Sequence, residues 1–186
     1  MKLDPLLKKR HALIAERKSS QKNINRQLGL PAEAKTILYT GHQFPLSFAY
    51  SNLLAEVFLE LKKKYSWENI YLVIKPHPLE WKFLYYFTNQ FRHHPQIKIV
   101  KNFEIYPAII SSEALVTNFS FTAIEAALLK RPVILLDFLH NHQLSIYDQP
   151  NFFKVDNVNQ LEKIIFEVLS DKLKIADQNS LDNFFK

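Results

Sequence analysis

The chain has 186 residues, 47% of them hydrophobic and 23% charged, enough for one domain with a buried core. It contains no cysteine, which excludes disulfides, thiolate metal sites and thiol nucleophiles. Its only glycines are Gly29 and Gly41, which excludes a G-x-G-x-x-G dinucleotide loop and a Walker A loop; a phosphate site here must use a helix N-terminus and side chains.

The net charge of +6 sits at one end: residues 1–27 hold eight of the 24 Lys/Arg and two of the 18 Asp/Glu, so the remainder balances. Nucleic acid is therefore not an expected partner, and the basic segment 1–27 is a candidate peripheral contact with a membrane. The opening MKLDPLLKKRHALIAERK is charged throughout, unlike a signal peptide, and no apolar run approaches the roughly 20 residues of a membrane span. The expected location is cytoplasmic.

Residues 3–27 read as one polar helix, followed by a break at LGLPAEAK. TILYT (36–40) is a short β-rich run, hence a strand, and GHQFP a loop. Helical spacing from Leu46 ends in lysines, which suit a helix C-terminus. Strands follow at 70–74, 97–100, 114–117 and 132–136. Between them lie helical segments at 79–92, at EIYPAIISS and at TAIEAALLK, and a last helix opens on Asn157 with Gln160 three residues on. Short apolar strands alternating with helices predict an α/β fold: a single Rossmann-like domain, with a parallel sheet of five or six strands covered by helices on both faces. The expected division is a basic helical segment at 1–29 and the α/β domain at 30–186.

In such sheets ligands bind beyond the C-terminal ends of the strands. Three polar turns fall there: Gly41-His42-Gln43, Lys75-Pro76-His77-Pro78 and Thr117-Asn118-Phe119-Ser120. Pro76 and Pro78 stiffen the second turn around His77, a candidate donor to phosphate. Lys75 beside it has two readings, balancing phosphate charge or pairing with Glu80. Gly41 permits close approach of backbone to a ligand. Thr122 and Glu125 have capping-box spacing; the same segment offers the Ser120 and Thr122 hydroxyls beside helix N–H groups for phosphate, and Glu125 as an acceptor for ribose hydroxyls. His140 and His142 lack companion ligands, so no metal is expected, and WKFLYYFTNQF reads as core packing.

IKPHPLE, together with SSEALVTNFSFTAIEAALLKRPVILLDF and KTILYTGHQ, resembles the C-terminal half of GT-B glycosyltransferases of the bacterial capsule and surface-polysaccharide group. That group includes polysialyltransferase-like and CDP-glycerol glycerophosphotransferase-like proteins. The resemblance implies a domain holding the nucleotide part of a UDP, CDP or CMP sugar donor, with no cofactor. By motif match it implies His77, Ser120 and Thr122 at phosphate, Glu125 at a sugar hydroxyl, and Lys75 and Glu80 with them; His42 and Gln43, in the turn after the first strand, complete the candidate donor-binding set. It also implies a missing acceptor-side domain or partner chain that carries the catalytic base. Lys130 stands where the group has glycine. The alternatives are half of a UDP-N-acetylglucosamine 2-epimerase-like enzyme and a non-catalytic nucleotide-binding domain.

Overall fold

The structure, a computed structural model, describes residues 4–41, 44–118, 120–139 and 145–173. Among them six strands build one all-parallel sheet: β1 (Lys35–Thr40), β2 (Ile70–Lys75), β3 (Ile97–Ile99), β4 (Ala114–Thr117), β5 (Val133–Leu136) and β6 (Phe152–Val155). Their order is β3-β2-β1-β4-β5-β6, the Rossmann-like α/β arrangement expected from the alternation. The last strand is additional to those read from the sequence. Phe152 and Val155 are buried but Lys154 is exposed, so this edge strand has no continuous apolar run.

Side chains alternate between the two faces of the sheet. Ile37, Tyr39, Leu72, Ile74, Val116 and Ile134 pack under α3 (Leu46–Lys64), α4 (Leu84–Phe91) and α7 (Val158–Leu169). Leu38, Val73, Leu115, Val133 and Leu135 pack under α1 (Asp4–Ala15), α5 (Ile105–Ser111) and α6 (Phe121–Leu128). Local chemistry sets several ends. Lys62, Lys63 and Lys64 close α3 at its negative pole. Asn157 caps α7 by accepting from Gln160 N at 3.0 Å, and Gln160 Oε1 in turn accepts from Asp156 N at 3.1 Å. Lys130 holds the left-handed conformation (φ 59°) that ends α6, which is why glycine suits this position.

Two predicted helices are subdivided. Residues 3–27 form α1 and α2 (Arg17–Gln27), separated at Glu16. The turn lets Arg17 reach Glu113, just before β4, at 2.6 Å. Arg131 lies near this pair; burial first, and Arg17 second, push its guanidinium down to about 10. Further along α2, buried Asn25 donates to the carbonyls of Ala32 and Ala34 at 3.0 and 2.9 Å, and α2 packs along α5. The helix expected at 79–92 begins instead as a 3-10 segment, Pro78–Phe83, before α4. Its aromatic run is only partly core: Phe87 and Phe91 are buried, whereas Tyr85 and Tyr86 are 71% and 53% exposed.

Candidate functional site

The helix after β1 covers one face of the sheet and the helix after β4 the other. The C-terminal ends of these neighbouring strands are therefore the switch point of the sheet, the place where such folds have their ligand crevice. Thr40 ends β1 and stands in register with Lys75 of β2 on one side and Thr117 of β4 on the other. Strand alternation points all three towards the α5–α6 face, about 5 Å apart across the sheet.

The hydroxyls here form a directed line. Thr117 Oγ1 donates to the Thr40 carbonyl at 2.9 Å. Thr122 Oγ1 donates to Ser120 Oγ at 2.7 Å, so the 2.9 Å contact between Thr40 and Thr122 Oγ1 atoms runs from Thr40 to Thr122. The line ends at Ser120, whose own O–H remains to donate outwards. Ser120 is also the N-cap of α6, accepting from Thr122 N at 3.2 Å.

This corrects the capping-box assignment to Thr122 and Glu125. Glu125 does not turn back to the helix start; its Oε1 accepts from Tyr106 Oη of α5 at 3.2 Å. Burial raises the Glu125 carboxyl, and the Tyr106 bond opposes the rise. With the carboxyl held above its ordinary value, the stability its neutral form contributes at low pH is lost as the pH rises and the buried group ionises. Glu125→Gln keeps an acceptor for Tyr106 and removes that ionisation. Relative to the parent, its melting temperature should therefore climb from pH 4 to pH 8; parallel melting curves across that range reject this account.

The Lys75–Glu80 pairing is also corrected. Lys75 lies on the α5–α6 face, half-buried and with no carboxylate partner among the described residues; burial lowers its ammonium. Glu80 turns to the opposite face, where it is 1% exposed. There it accepts from His77 N at 2.8 Å and, through a short hydrogen bond, from Ser47 Oγ of α3. His77 completes a capping box, its Nδ1 accepting from Leu79 N at 3.2 Å. That bond places the proton of the neutral ring on Nε2. His77 itself is extended (φ −61°, ψ 148°), as the following proline demands.

Gly41 makes room for this knot: a Cβ there would lie 2.6 Å from Glu80 Oε2 and 3.1 Å from Ser47 Cβ. The close approach it permits is thus to a buried carboxylate. Above the same knot, Tyr39 Oη donates to the Ser47 carbonyl at 2.8 Å, and burial, then Glu80, raise its phenol. Ser120 and Thr122 thus meet Thr40 at the β1–β4 seam, Lys75 stands in register beside Thr40, Glu125 is turned to Tyr106, and His77 caps the turn after β2. His42, Gln43, Phe119, His140 and His142 lie outside the described residues. Thr40, Ser47 and Tyr106 were not singled out from sequence. Thr40 carried a signal, being a polar residue that ends an apolar strand, whereas Ser47 and Tyr106 resemble ordinary helix residues.

In a Rossmann-like domain, polar groups gathered at this switch point mark a ligand-binding site. The chain belongs to the CDP-glycerol:poly(glycerophosphate) glycerophosphotransferase family, whose model matches residues 9–162. No curated protein matches it. Among solved structures it is similar to the wall teichoic acid polymerase TagF with CDPG, at 18% identity and TM-score 0.57, covering 95% of this chain and 42% of that one. The UDP-GlcNAc 2-epimerase of Methanocaldococcus jannaschii gives 19% identity and TM-score 0.62, over 87% of this chain and 46% of the other. The Neisseria meningitidis UDP-GlcNAc 2-epimerase bound to UDP-GlcNAc gives 15% and 0.59, over 85% and 44%. The chain thus spans less than half the length of each. Among the described residues no helix is long and apolar enough to cross a membrane.

Proposed function

We propose that the crevice holds the nucleoside diphosphate of an activated donor, and that the chain is the donor half of a transferase acting in surface-polymer synthesis. CDP-glycerol and nucleotide sugars are the donor class. The observation that carries this reading is the hydroxyl line ending at Ser120 on the N-terminus of α6. A helix N-terminus favours an anion, and Ser120 adds a donor already polarised by the hydroxyls behind it. Half-buried Lys75 supplies positive charge on the same face, where a phosphate replaces the carboxylate partner it lacks. His77 reaches the phosphate from the rim through Nε2–H, and Glu125 accepts a ribose or sugar hydroxyl. His42 and Gln43 belong to the same proposal through their place after β1. Transfer itself is assigned to a facing acceptor-side domain, so the isolated chain binds nucleotide without turnover.

Calorimetric titration with CDP, UDP and CMP tests this. Ser120→Gly removes the hydroxyl while preserving most of the cap, since glycine at an N-cap costs only a few tenths of a kcal/mol. Nucleotide affinity should fall about tenfold with little change in melting temperature. Equal affinity in both forms rejects the phosphate role of Ser120, and no binding of any of the three nucleotides rejects the donor reading.

A further inference from the structure

A second recess, of about 420 Å³, lies between α2 and the segment joining β3 to α5. Ser20, Asn23 and Gln27 enter it from one face of α2, and Asn102, Phe103 and Glu104 from the other side. The five polar side chains make no hydrogen bond to any described residue. Ile24, 7% exposed, contributes an apolar surface beneath them. No lysine or arginine is among the residues that line it.

We propose that this recess is a binding site for a neutral polyhydroxylated ligand, a glycerol unit or a sugar ring. An amide offers a donor and an acceptor side by side, which matches hydroxyl groups that need both. The Glu104 carboxylate accepts from two neighbouring hydroxyls of a diol. A phosphate is disfavoured, because Glu104 repels it and no cation in the lining offsets that repulsion. An apolar ligand would strip water from three amides without replacing their hydrogen bonds. The volume falls within the range of small-ligand pockets, and half-buried Phe103 offers a surface for the C–H side of the ligand. None of the residues lining the recess is among those assigned to the donor, so a polyol here would leave the crevice free. The site does not depend on the donor reading.

The test is an NMR titration of the 15N-labelled full chain with glycerol and with methyl α-glucopyranoside, using 1,2-dimethoxyethane as the ether control. The side-chain amide signals of Asn23, Gln27 and Asn102 should shift and saturate with a polyol, with a Kd on the order of millimolar, and stay still with the ether. Asn23→Ala combined with Asn102→Ala should weaken binding about tenfold, as loss of two neutral hydrogen bonds implies, without changing the affinity for CDP. Both side chains are exposed, so the fold should survive; if that variant does not fold, Gln27→Leu makes the same comparison. Non-saturating shifts, equal shifts with the ether, or undiminished polyol affinity in the folded variant overturn the proposal. A chain that binds CDP but no polyol rejects this site alone, and one that binds a polyol but no CDP rejects the donor reading alone.

Discussion

Glu80→Ala should destabilise the chain by about 3 kcal/mol, the sum of two charge-assisted hydrogen bonds at the lower end of their range. Glu80 is 1% exposed and serves two elements at once, the His77 backbone N–H after β2 and the Ser47 hydroxyl on α3. Truncation leaves both donors without that acceptor and opens a void beside Gly41. Urea denaturation measures the loss; a change below about 0.5 kcal/mol, typical of surface substitutions, would show that water replaces the carboxylate freely. Gly41→Ala is the complementary test. Alone it should cost about 1–3 kcal/mol, because its Cβ would press on Glu80 Oε2 at 2.6 Å. In the Glu80→Ala background the oxygen is gone and the cost should shrink, giving a coupling above about 0.5 kcal/mol. Strict additivity would mean that the two residues do not share this space.

His77→Ala should weaken nucleotide binding by about 1.5–3 kcal/mol, the range for a hydrogen bond to a charged group. The Nδ1 bond to Leu79 N and the prolines on either side fix the ring before any ligand arrives. Lys75→Ala should also lose affinity, but by an amount that shrinks with added salt, since a half-exposed charge is screened. Pro76→Ala keeps every charge and loosens only the turn, so its loss should be smaller than that of His77→Ala. The comparison is made by calorimetry at low and high salt. If His77→Ala binds like the parent at both, the turn is structural and the rim of the crevice lies elsewhere.

The sheet was readable wherever a strand is buried on both faces. Residues 36–40, 70–74, 114–117 and 132–136 are nearly continuous apolar runs, and their burial leaves no other arrangement for them. Edge strand β6 was missed although FFKV carries one lysine just as IKI of edge strand β3 does; among the described residues no α-helix stands between β5 and β6, so it falls outside the strand–helix alternation. The division between α1 and α2 was equally hidden: no glycine or proline marks Glu16, and the turn answers to Glu113, nearly a hundred residues away. At the crevice, the placement of polar turns at strand ends was legible, but their partners were not. Glu80 read as a neighbour of Lys75 because the two are close in sequence. The alternation of β2 sends Lys75 to one face, while the capping box turns Glu80 to the other, towards a serine 33 residues upstream. A histidine at the N-cap lies outside the usual Ser/Thr/Asp/Asn signal, so that box carried no recognisable signature.

The hydroxyl line has a consequence for the order in which the molecule assembles. Its links, Thr117 to Thr40 and Thr40 to Thr122, join positions 77 and 82 residues apart. The β1–β2–β3 half pairs over shorter sequence separations, so the seam between β1 and β4 has the higher contact order and is expected to close after it. A ligand at the seam binds only chains in which both halves have already met. Its binding free energy therefore adds to the stability of the whole sheet and not to that of a single loop.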